Sequence, residues 1–461
     1  MAPSNWETDP ARRYHERTKH TFASVRAGRH YLDWDNRPHP FKEYVGVEPV
    51  PLPKGNLGRV LRWGAGVVRT RRIPGGDVYH FRTYSSAGAL YPVEVYLASA
   101  DLPDLPGGLY HFHPRDLALR RLRAGDVRGS LAASADAEDL AEAEAVLVLT
   151  GILWRTAWKY QARGYRHLYW DAGTMLANVL ALAAADRAEA RLLTGFVDDE
   201  VNRLVGVDGE SEAALALVAV GRATGEPPPP RPVEPLDLAV APLSGRRVEY
   251  PDAGELHASS KLGDREEVQR YRRDSGAEAE KAALPTAGAP LDDVIRRRGS
   301  VRDFARDAVP AAELAGILAA AAGPVPADVL PPAETYLVAN AVDGLSPGAY
   351  RFDEPDGFTL LRSGDFRRQA AYLCLEQPLG GLAAATHFLL ADLERTLAAH
   401  GNRGYRAAQL EAGIRAGRMY LGAVARGMAA TASTFYDDDV TRFFGADEKE
   451  TMVALATGRP A

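Results

Sequence analysis

VEVYLASADLPDLPGGLYHFHP (93–114) and AETYLVANAVDGLSPGAYRFDE (333–354) are two copies of one pattern. In each, a strand-length run rich in β-branched and aromatic residues enters an Asp/Gly/Pro turn and returns through Gly-x-Tyr. The offset is 240 positions, and it carries Tyr110 onto Tyr350. The same offset lays RGYRHLYWDAG (163–173) on RGYRAAQLEAG (403–413), and an offset of 239 lays GFVDDEV (195–201) on TFYDDDV (434–440). Each copy closes on an apolar run ending in Gly-Arg: ALALVAVGR (214–222) and MVALATGR (452–459). Ordered matches at nearly constant spacing mean one fold used twice.

A chain of 461 residues exceeds one ordinary core, in keeping with the duplication. The break falls after Arg222, where GEPPPPRPVEP (225–235) can neither continue a helix nor enter a central strand. The charged KLGDREEVQRYRRD (261–274) reads as a short exposed helix, and AALPTAGAP (282–290) leads into the second copy. The expected organisation is an N-terminal domain over 1–224, a linker over 225–288 and a C-terminal domain over 289–461.

Composition narrows the function. Hydrophobic residues at 46% and charged ones at 25% are globular proportions, and a net charge of -6 gives no reason to expect nucleic acid. The single cysteine, Cys374, excludes an intramolecular disulfide and a cysteine-rich metal site. The 11 histidines lack ligand spacing such as HExxH, so no metal is expected. A polar N-terminus and the lack of an uncharged apolar run of roughly 20 residues point away from secretion and the membrane. The expected location is the cytoplasm.

Each half mixes strands and helices. VEVYLAS and ETYLVAN read as strands, and AVLVLTGIL and THFLLADL as short buried ones. The Ala/Leu-rich stretches 171–185 and 411–428 read as helices, with Asp171 and Glu411 expected to cap or orient the helices they begin. VPAAELAGILAAAAG (309–323) is a helix with Pro310 near its first turn and Gly323 past its end. The class is α+β. The aromatic, basic stretch 14–44 lies outside the repeat and is expected to pack on the other half, with a role in holding a peptide as the alternative.

RTYSSAGALYPVEVYL (82–97), WKYQARGYRHLYWDAG (158–173) and GFVDDEV resemble the SagB-type dehydrogenases of the nitroreductase superfamily. RRRGSVRDF (296–304) is similar to the arginine–serine–arginine motif that opens nitroreductase domains. The likeness spans about 14–222 and 291–459. It implies tandem nitroreductase-like domains that form an intramolecular pseudo-dimer, with FMN between them. It also implies an enzyme that oxidises thiazoline or oxazoline rings of ribosomally made peptides. The implied partners are a modified precursor peptide and cyclodehydratase proteins, with the chain a monomer or a further homo-oligomer.

The flavin's demands divide unequally between the copies. Its phosphate needs cations and hydroxyls, and only the C-terminal half has Arg296, Arg297, Arg298, Ser300 and Arg302 within seven residues. Its ring needs small residues, and only the N-terminal half has Ser85, Ser86, Ala87 and Gly88; the offset partner reads VPADVLPP (325–332). Lys159 and Tyr160 match the pair that the resemblance associates with catalysis, and their offset partners are Ala399 and His400. Either Lys159 or a Tyr160 of lowered pKa would serve as the base. Thr434 and Phe435 are expected to line the flavin, and Arg459 to join the phosphate clamp. RGYR occurs in both halves and is read as structural. The expectation is one competent site per chain. The competing readings are a nitroreductase-like flavoprotein with another small substrate and a flavin-free scaffold of a peptide-modifying complex.

Overall fold

In the computed structural model, which describes residues 4–28, 30–72, 78–276, 279, 281–353 and 357–461, the two quoted stretches occupy equivalent places in two sheets. Position 29 of the aromatic segment, positions 277, 278 and 280 of the expected linker, residues 1–3 and position 354 lie outside the described residues. The first sheet runs Pro49–Pro51, Ala118–Ala124, Gly108–His113, Val93–Ser99, Ala145–Ile152, Glu212–Val220, Ala190–Leu193. The second runs Gly357–Ser363, Gly348–Asp353, Glu334–Ala339, Ala385–Ala391, Glu450–Gly458, Ala429–Ser433. Apart from the added edge strand Pro49–Pro51, the order is the same, and neighbours are antiparallel in both.

Irregularities recur too. A register shift at Leu109/Tyr110 is answered at Ala349/Tyr350, and one at Leu149/Thr150 at Leu389/Leu390. The Gly-x-Tyr tyrosines also share a function: Tyr110 donates to the Pro106 carbonyl (2.6 Å) and Tyr350 to the Ser346 carbonyl (2.7 Å). Each hydroxyl ties the strand to the turn before it, which explains why both copies keep a tyrosine there.

Two buried helices, Gly164–Ala185 and Leu393–Ala425, pack on one another through the shared core. They start well before the expected positions, because RGYR is helical in both. The second is kinked at Gly401 (φ 64°), where Asn5 supplies the missing partners: Asn402 N–H donates to its carbonyl (2.8 Å) and Arg403 N–H to its side chain (2.7 Å). The helices cross at Gly173 and Gly413, which are offset partners. A Cβ on Gly173 would lie 2.5 Å from the backbone of Gly413, so a side chain there would push the helices apart.

RGYR holds the copies together by exchange. Arg163 and Arg166 of the N-terminal half grip Asp437 of the other (3.0 and 2.9 Å), and Arg403 and Arg406 grip Asp198 in return (2.5 and 3.2 Å). All six side chains are buried. Burial pushes the Asp437 carboxyl up, but Arg163 and Arg166 outweigh it and hold it at about 2.

The linker carries helices Pro251–Ser259 and Arg265–Arg272. The second is the charged, largely exposed helix expected, but one face packs inward: Val268 and Tyr271, three residues apart, are fully buried. The N-terminal arm wraps the C-terminal half, with His15 on Glu450 (2.9 Å) and Lys19 on Asp438 and Glu450 (2.9 and 3.0 Å). The stretch Leu153–Ala185 has the length and apolarity of a membrane span, but 83% of its most apolar window is buried inside the molecule, as in a core helix.

Candidate functional site

Tyr420, on the C-terminal core helix, gathers the two loops singled out by sequence. Its hydroxyl accepts from Ala432 N–H (2.7 Å) and lies 3.2 Å from both Ser85 Oγ and Ser300 Oγ. The N-terminal serine/glycine loop and the C-terminal arginine/serine loop therefore meet across the boundary between halves. Ser300 is fixed by a parallel bridge to Ala430 and by the hydrogen bond from Thr431 Oγ1 to the Val301 carbonyl. Ala305 N–H donates to the Arg459 carbonyl (3.0 Å), which sets the C-terminal Gly-Arg beside the same loop.

Asp171 holds the Ser85–Gly88 loop. Its carboxylate accepts from Ser86 Oγ (2.5 Å) and Ala87 N–H (3.0 Å), while Ser86 Oγ accepts from Tyr91 N–H (2.9 Å). Asp171 is thus no cap: it sits mid-helix, and burial pushes its carboxyl up to about 7 against the opposing hydrogen bonds. Glu411 likewise begins no helix; it pairs with Arg415 (2.6 Å) and accepts from Ala333 N–H (3.3 Å).

Gly88 has φ 62°, and a Cβ there would lie 3.1 Å from Tyr160 Oη and 3.3 Å from Lys159 Nζ. Lys159 and Tyr160 thus close over the glycine, and Arg302 is near enough to act electrostatically on both. Burial lowers the Lys159 pKa, and Arg302 and Arg37 lower it further. The Tyr160 hydroxyl is pushed up, chiefly by burial and then by Asp171. This direction is opposite to the lowered pKa expected of a tyrosine base. Behind Tyr160, His167 stacks on its ring (4.1 Å between centroids) and is buried with neither ring nitrogen hydrogen-bonded among the described residues.

The arginines separate. Arg302 is exposed and makes no ion pair among the described residues. Arg298 is buried and donates through Nε and Nη2 to the Arg82, Thr83 and Tyr84 carbonyls (3.0–3.2 Å), bracing the serine loop. Arg296 and Arg297 are exposed on the last turn of the helix Leu291–Arg297 and bond back to Asp293. Two residues escaped the sequence reading. Tyr420 gave no signal beyond an apolar helix position; Arg69, from the hairpin Val67–Arg72/Val78–Arg82, lies 3.6 Å from where a Cβ of Gly299 would stand. Thr434 Oγ1 accepts from Gln377 (3.1 Å), and Phe435 is buried under Arg163 (5.0 Å).

The offset partners of these groups also converge, but their cleft is filled. Thr194 and Gly195 (partners of Ser433 and Thr434), Asp328 (of Gly88) and His400 (of Tyr160) surround Tyr271 and Arg272 of the linker helix. Tyr271 Oη lies 2.9 Å from Thr194 Oγ1, and its carbonyl 2.9 Å from His400 Nδ1. Arg272 pairs with Asp328 (3.0 Å) and donates to the Gly195 carbonyl (2.8 Å).

A family model described as the nitroreductase family matches residues 47–222 and 295–459, one segment in each half. The nitroreductase-like protein MJ1384 of Methanocaldococcus jannaschii is 30% identical over 173 residues, 37% of this chain and 82% of that protein. The microcin B17-processing protein McbC of Escherichia coli is 30% identical over 147 residues, 30% of this chain and 54% of McbC. A crystal structure of a nitroreductase-like protein from Anabaena variabilis aligns over 99% of this chain and 100% of its own, with a TM-score of 0.82 and 26% identity. The family match covers both copies of the duplicated fold, and the chain belongs to the nitroreductase family.

Proposed function

We propose that the chain is an FMN-dependent dehydrogenase of the SagB type, which oxidises thiazoline or oxazoline rings to thiazoles or oxazoles in a ribosomally made peptide. The observation that carries this reading is the convergence of Ser85–Gly88, Lys159–Tyr160 and Ser300–Arg302 across the two halves. The likeness to McbC, named for processing microcin B17, supports the substrate class.

The groups present fit FMN. Gly88 lets the loop backbone lie against Tyr160 and Lys159, where a side chain would crowd both, and Arg302 with Arg69 offers cations beside the Ser300 hydroxyl. On this reading Ser85, Ser86, Ala87 and Gly88 hold the ring edge, with Thr434 and Phe435 on the other side. Ser300, Arg302 and Arg69 hold the phosphate, with Arg297 and Arg459 at its rim. FMN bound there supplies the two-electron acceptor for ring oxidation. Lys159, its pKa lowered by burial and by Arg302, takes the proton from the ring carbon beside the carbonyl as the C–H bond breaks. Tyr160 keeps its proton and donates a hydrogen bond that orients the substrate. Aromatisation of the ring supplies driving force.

An azoline must first be made by cyclodehydration, so the reading implies cyclodehydratase partners and a cytoplasmic setting. Incubation with an azoline-bearing peptide tests it: the peptide should lose two hydrogens in a flavin-dependent manner. A yellow protein that reduces nitro compounds but leaves azolines untouched would overturn the substrate assignment.

A further inference from the structure

Beside the strands Ala145–Ile152 and Glu212–Val220 and the linker helix Pro251–Ser259 lies a cavity of about 370 Å³, outside the cleft described above. Its apolar wall includes Leu153, Trp154, Leu168, Ala213, Leu215 and Tyr250. Of the charges at its rim, Arg247 is on Glu249 (3.0 Å) and Lys261 on Asp199 (2.9 Å), and Glu210 is exposed at the outer edge. His257 lies between the Tyr165 hydroxyl (3.2 Å) and the Gly209 carbonyl (3.0 Å), and burial keeps it neutral by lowering its pKa to about 4. A space of this size, with an apolar inner wall and its charges at the rim, suits a neutral apolar group.

Its position says whose group. Leu153 and Trp154 open the helix Leu153–Tyr160, whose last turn carries Lys159 and Tyr160. At about 1.5 Å per residue, the cavity lies roughly 10 Å from the proposed catalytic pair. One apolar cluster bridges the distance: Leu90, Trp154, Ala157 and Trp158, with Leu153, Tyr160 and Tyr250 packed on it. An extended peptide advances about 3.4 Å per residue, so roughly three residues span the gap.

We infer that this cavity is the specificity pocket for an aromatic or branched apolar side chain of the peptide substrate, about three residues from the ring that is oxidised. The inference rests on the proposed oxidation of peptide azolines. Gly254 offers a direct test, because it lines the cavity and a Cβ there would meet nothing within 4 Å. Gly254→Phe therefore adds a ring at the cavity wall with no clash at its Cβ. Steady-state kinetics should pair wild type and Gly254→Phe with two azoline peptides, one carrying Phe and one Gly at the third position from the ring. Peptide binding is measured separately by fluorescence anisotropy, and flavin content on the same samples.

Burying an aromatic side chain should lower KM of wild type for the Phe peptide about tenfold or more, a preference that Gly254→Phe removes. Equal preference for Phe in both proteins, at full flavin content, would overturn the pocket. If neither peptide is oxidised by wild type, yet the Phe peptide binds more tightly and Gly254→Phe abolishes the difference, the pocket stands and the azoline reading falls.

Discussion

Lys159 and Tyr160 lie against the same loop, and their pKa values shift in opposite directions. Burial lowers the lysine pKa and raises that of the tyrosine. Lys159→Met should cut turnover by about 10²–10⁴-fold while the purified protein stays yellow; loss of bound flavin would make the lysine structural. Because the base must be neutral, kcat/KM should rise with pH through the lowered lysine pKa and then level off. Arg302→Gln removes a repulsive charge and should move that inflection to higher pH, measured as a pH–rate profile. The same substitution should weaken FMN about tenfold or more in equilibrium ultrafiltration, since it removes a charge-assisted contact. The pair was singled out by the resemblance alone; its offset partners, Ala399 and His400, differ in kind. Tyr420 was not legible: its value lies in two serines 335 and 120 residues away, which only the folded chain brings to its hydroxyl.

At the scale of elements, the duplication was legible down to the repeated Gly-x-Tyr turn, because short strands and tight turns leave a local pattern. Helix starts were not. Asp171 and Glu411 look like N-caps, yet the helices begin upstream, and in the folded chain one acid clamps a loop while the other pairs with Arg415. RGYR also concealed its purpose, since its partner Asp lies in the other half. Breaking one of these buried exchanges should be severe: Asp437→Asn leaves Arg163 and Arg166 buried without an anion and should lose about 3–5 kcal/mol in urea unfolding. Because the folded Asp437 pKa of about 2 lies below its ordinary value, its contribution is complete above about pH 4 and fades as pH falls toward 2. Asp437→Asn should therefore flatten that part of the acid-stability curve; an unchanged curve would remove Asp437 from the account.

At the scale of the whole molecule, a duplicated fold offers two equivalent clefts, one for each set of offset partners. The copies have diverged in complementary ways. One cleft keeps the serine/glycine loop, the lysine–tyrosine pair and an exposed arginine. The other has proline and aspartate in its loop and is filled by Tyr271 and Arg272 of the linker. The charge of 261–274 suggested a solvated helix, because a plug that buries only Val268 and Tyr271 leaves almost no apolar signature. The proposed FMN site is therefore single, one per chain. Native mass spectrometry of the FMN-saturated protein measures it directly: the prediction is a single FMN per polypeptide, with its loss in Ser300→Ala/Arg302→Ala. Two FMN molecules per chain, or one that survives that double substitution, would contradict it.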